Sequence, residues 1–253
     1  MDQVARIVAN RLNGTRLARL SGLDENEGYV LQQDVNRALS ATLGRRAGYK
    51  IGGTTAAMRQ LLQIERPIAG EIFARTVHAN GAHLPLAQFV RPGVETEIAV
   101  RLARTIEPSD APRDPHEWAG HVDAVMPAIE IVDDRYEDVV RAGAATLAAD
   151  NNCNAGSVLG EARTDWRDLP LDRLTARTFV DGQLRAEAVS SELMGHPLRA
   201  LAWLVERYGR LGRTLEAGCF VSLGTITPVQ WIESPAEIRI EIESLGAVSL
   251  SLT

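Results

Sequence analysis

The chain has 253 residues, of which 45% are hydrophobic, and a formal net charge of -6 at pH 7. This length allows one large domain or a small domain beside a larger one, each with a buried core. The acidic balance argues against a nucleic-acid-binding protein, and no apolar run is long enough for a membrane helix. With two cysteines and no apolar segment near the start, we expect a cytoplasmic protein without a disulfide framework.

The first 45 residues show the apolar spacing of helices. The two stripes that predict them contain Val4, Ile7 and Val8, and then Val30, Val35, Leu39 and Leu43. The next segment, GYKIGG (48–53), is short, apolar and flanked by glycine, which is typical of a strand. Thr54 and Thr55 can cap a further short helix over AAMRQLLQI, because a threonine hydroxyl accepts from a free N–H of a first helical turn.

The pattern then changes to the two-residue alternation of β-strands. In the segment 94–102, Glu95 and Glu97 lie on one face and apolar side chains on the other. The segment 127–132 repeats this pattern with Glu130 among apolar residues. Between these strands, we predict a polar, proline-rich loop over 107–115 and a short helix that continues to about Val125.

The last third of the chain predicts a hairpin, a helix and two final strands. Asp181-Gly182 separates two alternating runs, the helix spans 197–208, and Leu245-Gly246 separates the last two strands. We therefore predict an α+β protein with a small, mostly helical N-terminal region over residues 1–80. A β-rich domain over residues 81–253 follows it.

Three glutamates are candidate metal ligands. Glu95 and Glu97 stand two residues apart, so their side chains leave the same strand face roughly 6 to 7 Å apart at the backbone. Glu130 interrupts the apolar alternation of the other strand in the same way. A bound cation would compensate the burial of like charges, and an all-carboxylate set favours Mg²⁺ or Mn²⁺. Spacing alone leaves open the alternative of an ordinary solvated strand face.

Lys50 is the only lysine among the 27 basic residues. Lysine is a compact point charge with a pKa that its surroundings can change, whereas arginine is a planar, permanently charged fork. A chain so rich in arginine retains a lysine either by chance or because a guanidinium does not fit the chemistry. Composition alone leaves both interpretations open.

Four segments resemble, in order and spacing, one family of metal-dependent enzymes. They are GYKIGGTT (48–55), RPGVETEIAVRL (91–102), MPAIEIVDDR (126–135) and DNNCNAGSVLG (150–160). The family is that of the 2-keto-4-pentenoate hydratases and 4-oxalocrotonate decarboxylases, a branch of the fumarylacetoacetate hydrolase superfamily. The closing segments of the chain are also similar, so the resemblance implies a fumarylacetoacetate-hydrolase-like fold for the β-rich part.

The resemblance implies roles for individual residues. Glu95, Glu97 and Glu130 match the metal ligands of the family, which strengthens the metal interpretation. The lysine of the family matches Lys50, which implies contact with the substrate carboxylate or the catalytic water. Residues that the resemblance also brings to the site are Asp150 for proton transfer, Asn151 near the substrate, and Thr227 as a substrate-contacting hydroxyl.

The sequence departs from the family pattern at three places. Gly93 precedes the first metal-binding strand where a larger residue is usual, and Gly224-Thr225 replaces a glycine-serine pair. Arg75 stands near the position where an acidic residue is expected. We expect these changes to alter the substrate pocket and to leave the metal ligands in place.

The implied function is a divalent-metal-dependent lyase of aromatic catabolism. We predict a hydratase that adds water to a 2-hydroxy-2,4-dienoate to give a 4-hydroxy-2-oxo acid. A 4-oxalocrotonate-type decarboxylase is the first alternative; a hydrolase of acylpyruvate C–C bonds and a non-catalytic binding subunit are further ones. The resemblance also suggests a homo-oligomer that associates with a related enzyme of the same pathway.

Overall fold

The computed structural model describes residues 2–110 and 115–253, so part of the predicted loop over 107–115 lies outside the described residues. The α-helices are α1 (Gln3–Asn13), α2 (Glu25–Leu43), α3 (Ala56–Leu62), α4 (Pro115–Trp118), α5 (Gly143–Ala149) and α6 (Pro197–Arg210). The strands are β1 (Arg46–Gly52), β2 (Ile68–Phe73), β3 (Val77–Ala79), β4 (Ala82–Leu84), β5 (Pro92–Leu102), β6 (Val122–Asp133), β7 (Asn154–Leu159), β8 (Thr175–Val180), β9 (Gln183–Val189), β10 (Phe220–Thr225), β11 (Gln230–Trp231), β12 (Ala236–Ile242) and β13 (Gly246–Leu252). The predicted α+β class is confirmed. In these described ranges, no helix is long and apolar enough to cross a membrane.

The larger sheet has its longest strands, β5 and β6, near its middle. Its strand order is β2-β1-β10-β5-β6-β7-β3, and β11 pairs with β5 beside this path. β5 and β6 are antiparallel, and their register sets Glu95 directly opposite Glu130. The two strands that carry the predicted metal ligands are therefore neighbours, with the ligands on one face.

The smaller sheet covers the opposite face of β5 and β6. Its strand order is β4-β13-β12-β8-β9. The apolar side chains that fill the space between the two sheets include Val94, Ile129, Ile131, Ile238 and Ile240. Burial of this layer holds the face opposite the glutamates closed, so the glutamates can only be approached from the other side.

Helix α2 packs closely on α5 and bonds to β2, the edge strand of the larger sheet. A capping box between Asp24 and Glu27 begins the helix. A Cβ added at Gly28 would lie 2.5 Å from the Ala145 carbonyl oxygen, so glycine permits the close approach. The buried Gln32 amide donates to a carbonyl of β2 and to a carbonyl of α5. These contacts fix the position of the segment that follows α5.

Most predicted elements are present, with one error before β6. The hairpin between β8 and β9 turns at Asp181-Gly182, where both φ angles are positive. The predicted short helix is present, but its predicted end at about Val125 is wrong, because a 3-10 turn over Ala119–His121 follows α4 and β6 begins at Val122. Pairing of Val122 with Leu102 of β5 extends the strand at the expense of the helix.

The region before residue 80 is joined to the rest of the chain by sheet hydrogen bonds. β1 pairs with β10 and with β2, so strands from before and after residue 80 lie in the same sheet. The helical content of this part is concentrated in α1, α2 and α3. A division into units 1–80 and 81–253 stays a prediction.

Candidate metal centre and substrate cavity

The structure brings the three predicted metal ligands together. Glu95 and Glu97 of β5 and Glu130 of β6 offer one carboxylate oxygen each, and these oxygens all lie within 4.8 Å of one another. All three side chains are buried, and Glu97 and Glu130 are 0% exposed. Such a carboxylate cluster costs free energy unless a cation or protons compensate it.

Hydrogen bonds hold the carboxylates but leave two of their oxygens unsatisfied. Glu97 Oε2 accepts from the Ser222 hydroxyl and from the Gly224 N–H. Glu130 Oε1 accepts from Asn154 Nδ2 at 3.0 Å. Glu97 Oε1 and Glu130 Oε2 are buried and have no donor among the described residues. These two oxygens fit the ligand atoms that a hard divalent cation requires.

The pKa values of the cluster reflect burial and the proximity of like charges. Burial, followed by the charge of Glu130, raises the pKa of Glu95 to about 7. Burial and the neighbouring carboxylates raise the pKa of Glu97 well above its ordinary value. For Lys50, burial lowers the pKa, but the charges of Glu130, Glu95 and Glu97 outweigh it and the pKa is raised. Lys50 therefore carries its charge beside the cluster.

The ammonium group of Lys50 offsets one of the three negative charges of the cluster. Its Nζ atom lies 3.2 Å from Glu130 Oε1 and donates to the Asn152 carbonyl at 3.1 Å. The side chain is 1% exposed. Three carboxylates and one ammonium group leave two negative charges, which is the charge that Mg²⁺ or Mn²⁺ would neutralise. The residues present therefore fit a divalent cation.

An unusual turn after α5 presents Asn152 to Lys50. Asn151, Asn152 and Cys153 have φ angles of 56°, 50° and 65°, so three consecutive residues are left-handed. Such a run is strained for L-residues and persists only where the surroundings fix it. The Asn151 side chain supplies this support, since it accepts from the Glu71 N–H at 2.9 Å and donates to Asn36 Oδ1 at 2.6 Å.

Asn152 lies directly over a glycine of β1. A Cβ added at Gly52 would lie 1.7 Å from Asn152 Nδ2 and 3.1 Å from Lys50 Nζ. Glycine at this position thus allows the amide and the ammonium to lie side by side at the entrance to the metal cluster.

A cavity of about 450 Å³ opens beside Lys50 and Glu95. Its polar end is formed by Lys50, Glu95, Asn152, Thr225 and Thr227. The residues that line the rest are mostly apolar and include Ala57, Met58, Leu61, Leu62, Val132, Val139, Ile226, Val229 and Trp231. A polar end joined to an apolar wall suits a small acid with a hydrocarbon tail.

The other predicted site residues lie at different distances from this cavity. Thr227 lines it, and its hydroxyl lies 2.9 Å from Thr178 Oγ1. Asn151 does not line it, and the neighbouring Asn152 does. Asp150 does not line it either, because its carboxylate accepts from Arg135 at 2.7 Å and from the Tyr136 hydroxyl at 2.9 Å.

Sequence patterns did not single out Asn152, Ser222 or Asn154. The only available signal was that two of them stand in the DNNCN block. Alternation cannot assign a face in a left-handed turn, so the block alone does not reveal which asparagine reaches the cavity.

Two of the departures from the family pattern shape the cavity. A Cβ at Gly93 would lie 2.7 Å from Val229 and 2.9 Å from Trp231, so glycine lets these apolar residues pack against β5. Gly224 has a φ of 105°, its N–H binds Glu97, and the Thr225 beside it lines the cavity. The predicted effect of these departures on the pocket is therefore consistent with where they lie. Arg75 lines a different cavity.

Residues 54–252 match the model of the fumarylacetoacetate (FAA) hydrolase C-terminal family. The chain belongs to this family. It is 33% identical over 260 residues to the 2-keto-4-pentenoate hydratase of Burkholderia vietnamiensis, with 100% of this chain and 97% of the relative covered. It is 30% identical over 209 residues to a 4-oxalocrotonate decarboxylase from a Pseudomonas species, with 83% and 79% covered.

Two solved structures share the fold. The 4-oxalocrotonate decarboxylase of Pseudomonas putida G7, complexed with magnesium and adipate, superposes with a TM-score of 0.92 at 22% identity and covers 99% of this chain and 95% of its own. Fumarylpyruvate hydrolase from Pseudomonas aeruginosa, complexed with Mn²⁺ and pyruvate, gives a TM-score of 0.61 at 18% identity and covers 83% and 89%. The predicted family and its fold are therefore confirmed.

Proposed function

We propose that this family member is a divalent-metal-dependent hydratase. It adds water to a 2-hydroxy-2,4-dienoate of the 2-keto-4-pentenoate type and produces a 4-hydroxy-2-oxo acid. The observation that carries the proposal is the cluster of Glu95, Glu97 and Glu130, partly neutralised by Lys50, at the polar end of an otherwise apolar cavity. Two curated relatives, 33% and 34% identical to this chain, are named 2-keto-4-pentenoate hydratase, which supports it.

Glu95, Glu97 and Glu130 would hold Mg²⁺ or Mn²⁺. When bound, the cation supplies a Lewis acid that stabilises negative charge on the 2-oxygen and the carboxylate of a 2-oxo acid. The choice between the two metals belongs to this proposal, since an all-oxygen ligand set accepts both.

The chain's own residues bind and orient the substrate at this end. Lys50, whose charge is maintained by the glutamates, pairs with the substrate carboxylate or holds the water that is added. The amide of Asn152 and the hydroxyl of Thr227 line the same end and can bond to the substrate oxygens. The 2-hydroxyl group of the dienoate gives up its proton and becomes a carbonyl while the far carbon gains a proton, which leaves a double bond between the third and fourth carbons. The water oxygen then bonds to the fourth carbon, and the water proton goes to the third.

Charge in the cavity favours the hydratase over the decarboxylase. Among the described residues that line the cavity, Lys50 is the only cation. 4-Oxalocrotonate carries a second carboxylate, which would meet the apolar wall or the acidic Glu192 at the cavity lining. Burial of an unpaired carboxylate there would cost several kcal/mol. A cost of this size is enough for the cavity to prefer a dienoate with one carboxylate over 4-oxalocrotonate.

The remaining alternatives have less support. A C–C hydrolase needs a group that activates water, and no histidine lines the cavity in the described part of the chain. A non-catalytic subunit would not need three metal ligands, a buried lysine and an open cavity together. Asp150 as a proton donor stays a prediction without geometric support, since its carboxylate is paired with Arg135. Homo-oligomeric assembly and association with a pathway enzyme stay predictions from the family.

The test is a substrate panel with defined metal content. Protein freed of metal with EDTA should not consume 2-hydroxypenta-2,4-dienoate, and addition of Mg²⁺ or Mn²⁺ should restore its disappearance in the ultraviolet. The methyl-substituted 2-hydroxyhexa-2,4-dienoate should react with a similar kcat/KM. 4-Oxalocrotonate should be at least about 10-fold poorer. Preferential loss of carbon dioxide from oxalocrotonate would favour the decarboxylase, and no turnover of any of these acids with metal bound would contradict an enzyme of this class.

A further inference from the structure

A second cavity, of about 600 Å³, lies on the opposite face of the larger sheet from the metal cluster. Residues alternate along β6, so Glu130 and Val132 face the metal side while Ile131 and Asp133 line this second cavity. Residues of α1, of the turn between β2 and β3, of β3 and of the segment 87–90 before β5 also line it. The two cavities are therefore separate sites.

Three arginines and a histidine line the second cavity. They are Arg11, Arg75, Arg135 and His78, and we call it the arginine cavity after its three arginines. Asp133 is the only carboxylate among its described lining residues. One oxygen of Asp133 accepts from the N–H groups of residues 90 and 91, so this carboxylate is already partly engaged.

Arg135 is fully satisfied by the protein. Its Nη2 atom donates to Asp150 at 2.7 Å and its Nε atom to Asn10 at 3.2 Å. Asp150 is therefore committed to Arg135 as its counter-ion. The charge of Arg135 is neutralised without any ligand.

Arg11 has no such partner. It is partly buried and lines the cavity, and its side chain makes no hydrogen bond or ion pair with any residue that the structure describes. Burial and then the nearby charge of Arg135 lower its pKa to about 10. Other partly buried arginines differ, since Arg59 and Arg213 each donate to a protein oxygen. A partly buried guanidinium without a protein acceptor leaves its N–H groups open to the cavity, where a ligand can accept from them.

We propose that the arginine cavity binds a small oxyanion, a carboxylate or a phosphate, on Arg11. A guanidinium presents two parallel N–H groups that match two oxygens of either anion. Arg75 lies at the exposed rim and His78 is half-buried beside it, so both can add donors to the same anion. This site is independent of the metal cluster and of the reaction that the cluster performs.

Binding of inorganic phosphate and of succinate to the Mg²⁺-loaded protein tests the proposal. Calorimetry and thermal unfolding are compared with sodium chloride at equal ionic strength. We expect saturable binding of at least one anion, weakened at least about 10-fold in Arg11→Met, which corresponds to the loss of a charge-assisted hydrogen bond. The comparison of phosphate with succinate identifies which oxyanion the cavity prefers. The exposed Arg185→Met on β9 is the matched control and should bind as the unmodified protein does.

A second substitution makes the test independent of the stability of α1. Arg75→Met removes a rim charge whose side chain donates only to the Thr42 carbonyl among the described residues, so the fold should tolerate it. Arg75→Met should weaken the binding of the same anion, and Arg11→Lys should retain part of the affinity for it. Absence of saturable binding, or equal affinity in the unmodified protein and both methionine variants, would overturn the proposal.

Discussion

Lys50 and Glu130 form a buried ion pair, with 3.2 Å between Lys50 Nζ and Glu130 Oε1. The two residues come from separate strands of one sheet, and neither side chain is more than 1% exposed. The pair orients the Glu130 carboxylate. With the other two carboxylates ionised, it leaves the cluster with two negative charges, which a divalent cation would neutralise. It also brings the ammonium to the polar end of the substrate cavity.

Lys50→Arg tests whether the position of this charge matters. A guanidinium is larger than an ammonium and planar, so it cannot repeat the contacts that the single Nζ atom of Lys50 makes with Glu130 and with the Asn152 carbonyl. We expect kcat/KM to fall by roughly 100-fold, which is the effect of displacing a catalytic or binding group by about 1 Å. Steady-state kinetics with saturating Mg²⁺ measures it. The exposed Arg101→Lys, whose side chain pairs with Asp123, is the reverse control. Near-normal activity of Lys50→Arg would show that any cation suffices there.

Glu95→Gln separates metal binding from stability. The substitution keeps the shape of the side chain and removes one anionic ligand. We therefore expect the Kd for Mg²⁺ to rise at least about 100-fold, which exceeds the usual loss of affinity when a residue that only hydrogen-bonds to a metal ligand is removed. The metal-free variant should be more stable than the metal-free original protein above neutral pH, since a buried carboxylate is gone. Calorimetry and urea unfolding provide the two values. Glu241→Gln on β12 is the control, and an unchanged Mg²⁺ affinity in Glu95→Gln would rule out Glu95 as a ligand.

The stability of the metal-free protein should depend on pH through Glu95. Its pKa is about 7 in the folded protein against an ordinary value of 4.5, so the folded state binds more protons than the unfolded state between these values. The free energy of unfolding therefore falls as pH rises from about 4.5 to 7, by about 3 kcal/mol for the full shift. Urea unfolding of the EDTA-treated protein and of Glu95→Gln across this range isolates the contribution, because the variant lacks the titrating group.

Metal affinity should change with pH in the opposite direction. The cation binds the ionised carboxylates, so the affinity for Mg²⁺ should increase as pH rises through about 7 and bound metal should release protons. Calorimetric titrations in buffers of different ionisation enthalpy count these protons. A pH-independent Mg²⁺ affinity between about pH 6 and 8 would contradict the raised pKa of Glu95.

Gly52→Ala tests the close approach of Asn152 to β1. The new methyl group would lie 1.7 Å from Asn152 Nδ2, so the amide must move and the Asn152 carbonyl with it. We expect kcat/KM to fall by about 10-fold or more, with a smaller change in Tm. The reason is that the strained turn holds Asn152 in the position that the site requires. Gly120→Ala is the matched control, since its nearest neighbour would be 3.7 Å away. Equal activities of the two variants would show that Asn152 has no positioning role.

Local patterns predicted the elements of this fold well where one face of each element is buried. Alternation located β5 and β6 and assigned Glu95, Glu97 and Glu130 to one face, because side chains alternate strictly along a paired strand. The helix predicted to about Val125 ends before Val122, because strand pairing with β5 outweighs local helix preference from there on. Lys50 stood out by composition, but only the fold brings it to Glu130, across the intervening strands β10 and β5.

The sequence by itself predicted the family, the three carboxylates that cluster and a divalent cation as their ligand, since residue type decides donor chemistry and alternation decides strand faces. Tertiary structure alone decided which asparagine lines the cavity, because a left-handed turn at 151–153 has no periodicity to read. It also decided the charge balance of the site, since Lys50 and Glu130 are 80 residues apart in the chain and meet only through sheet register. Arg11 shows the same limit: only the fold shows that its guanidinium lines a cavity beside an arginine whose counter-ion is already engaged.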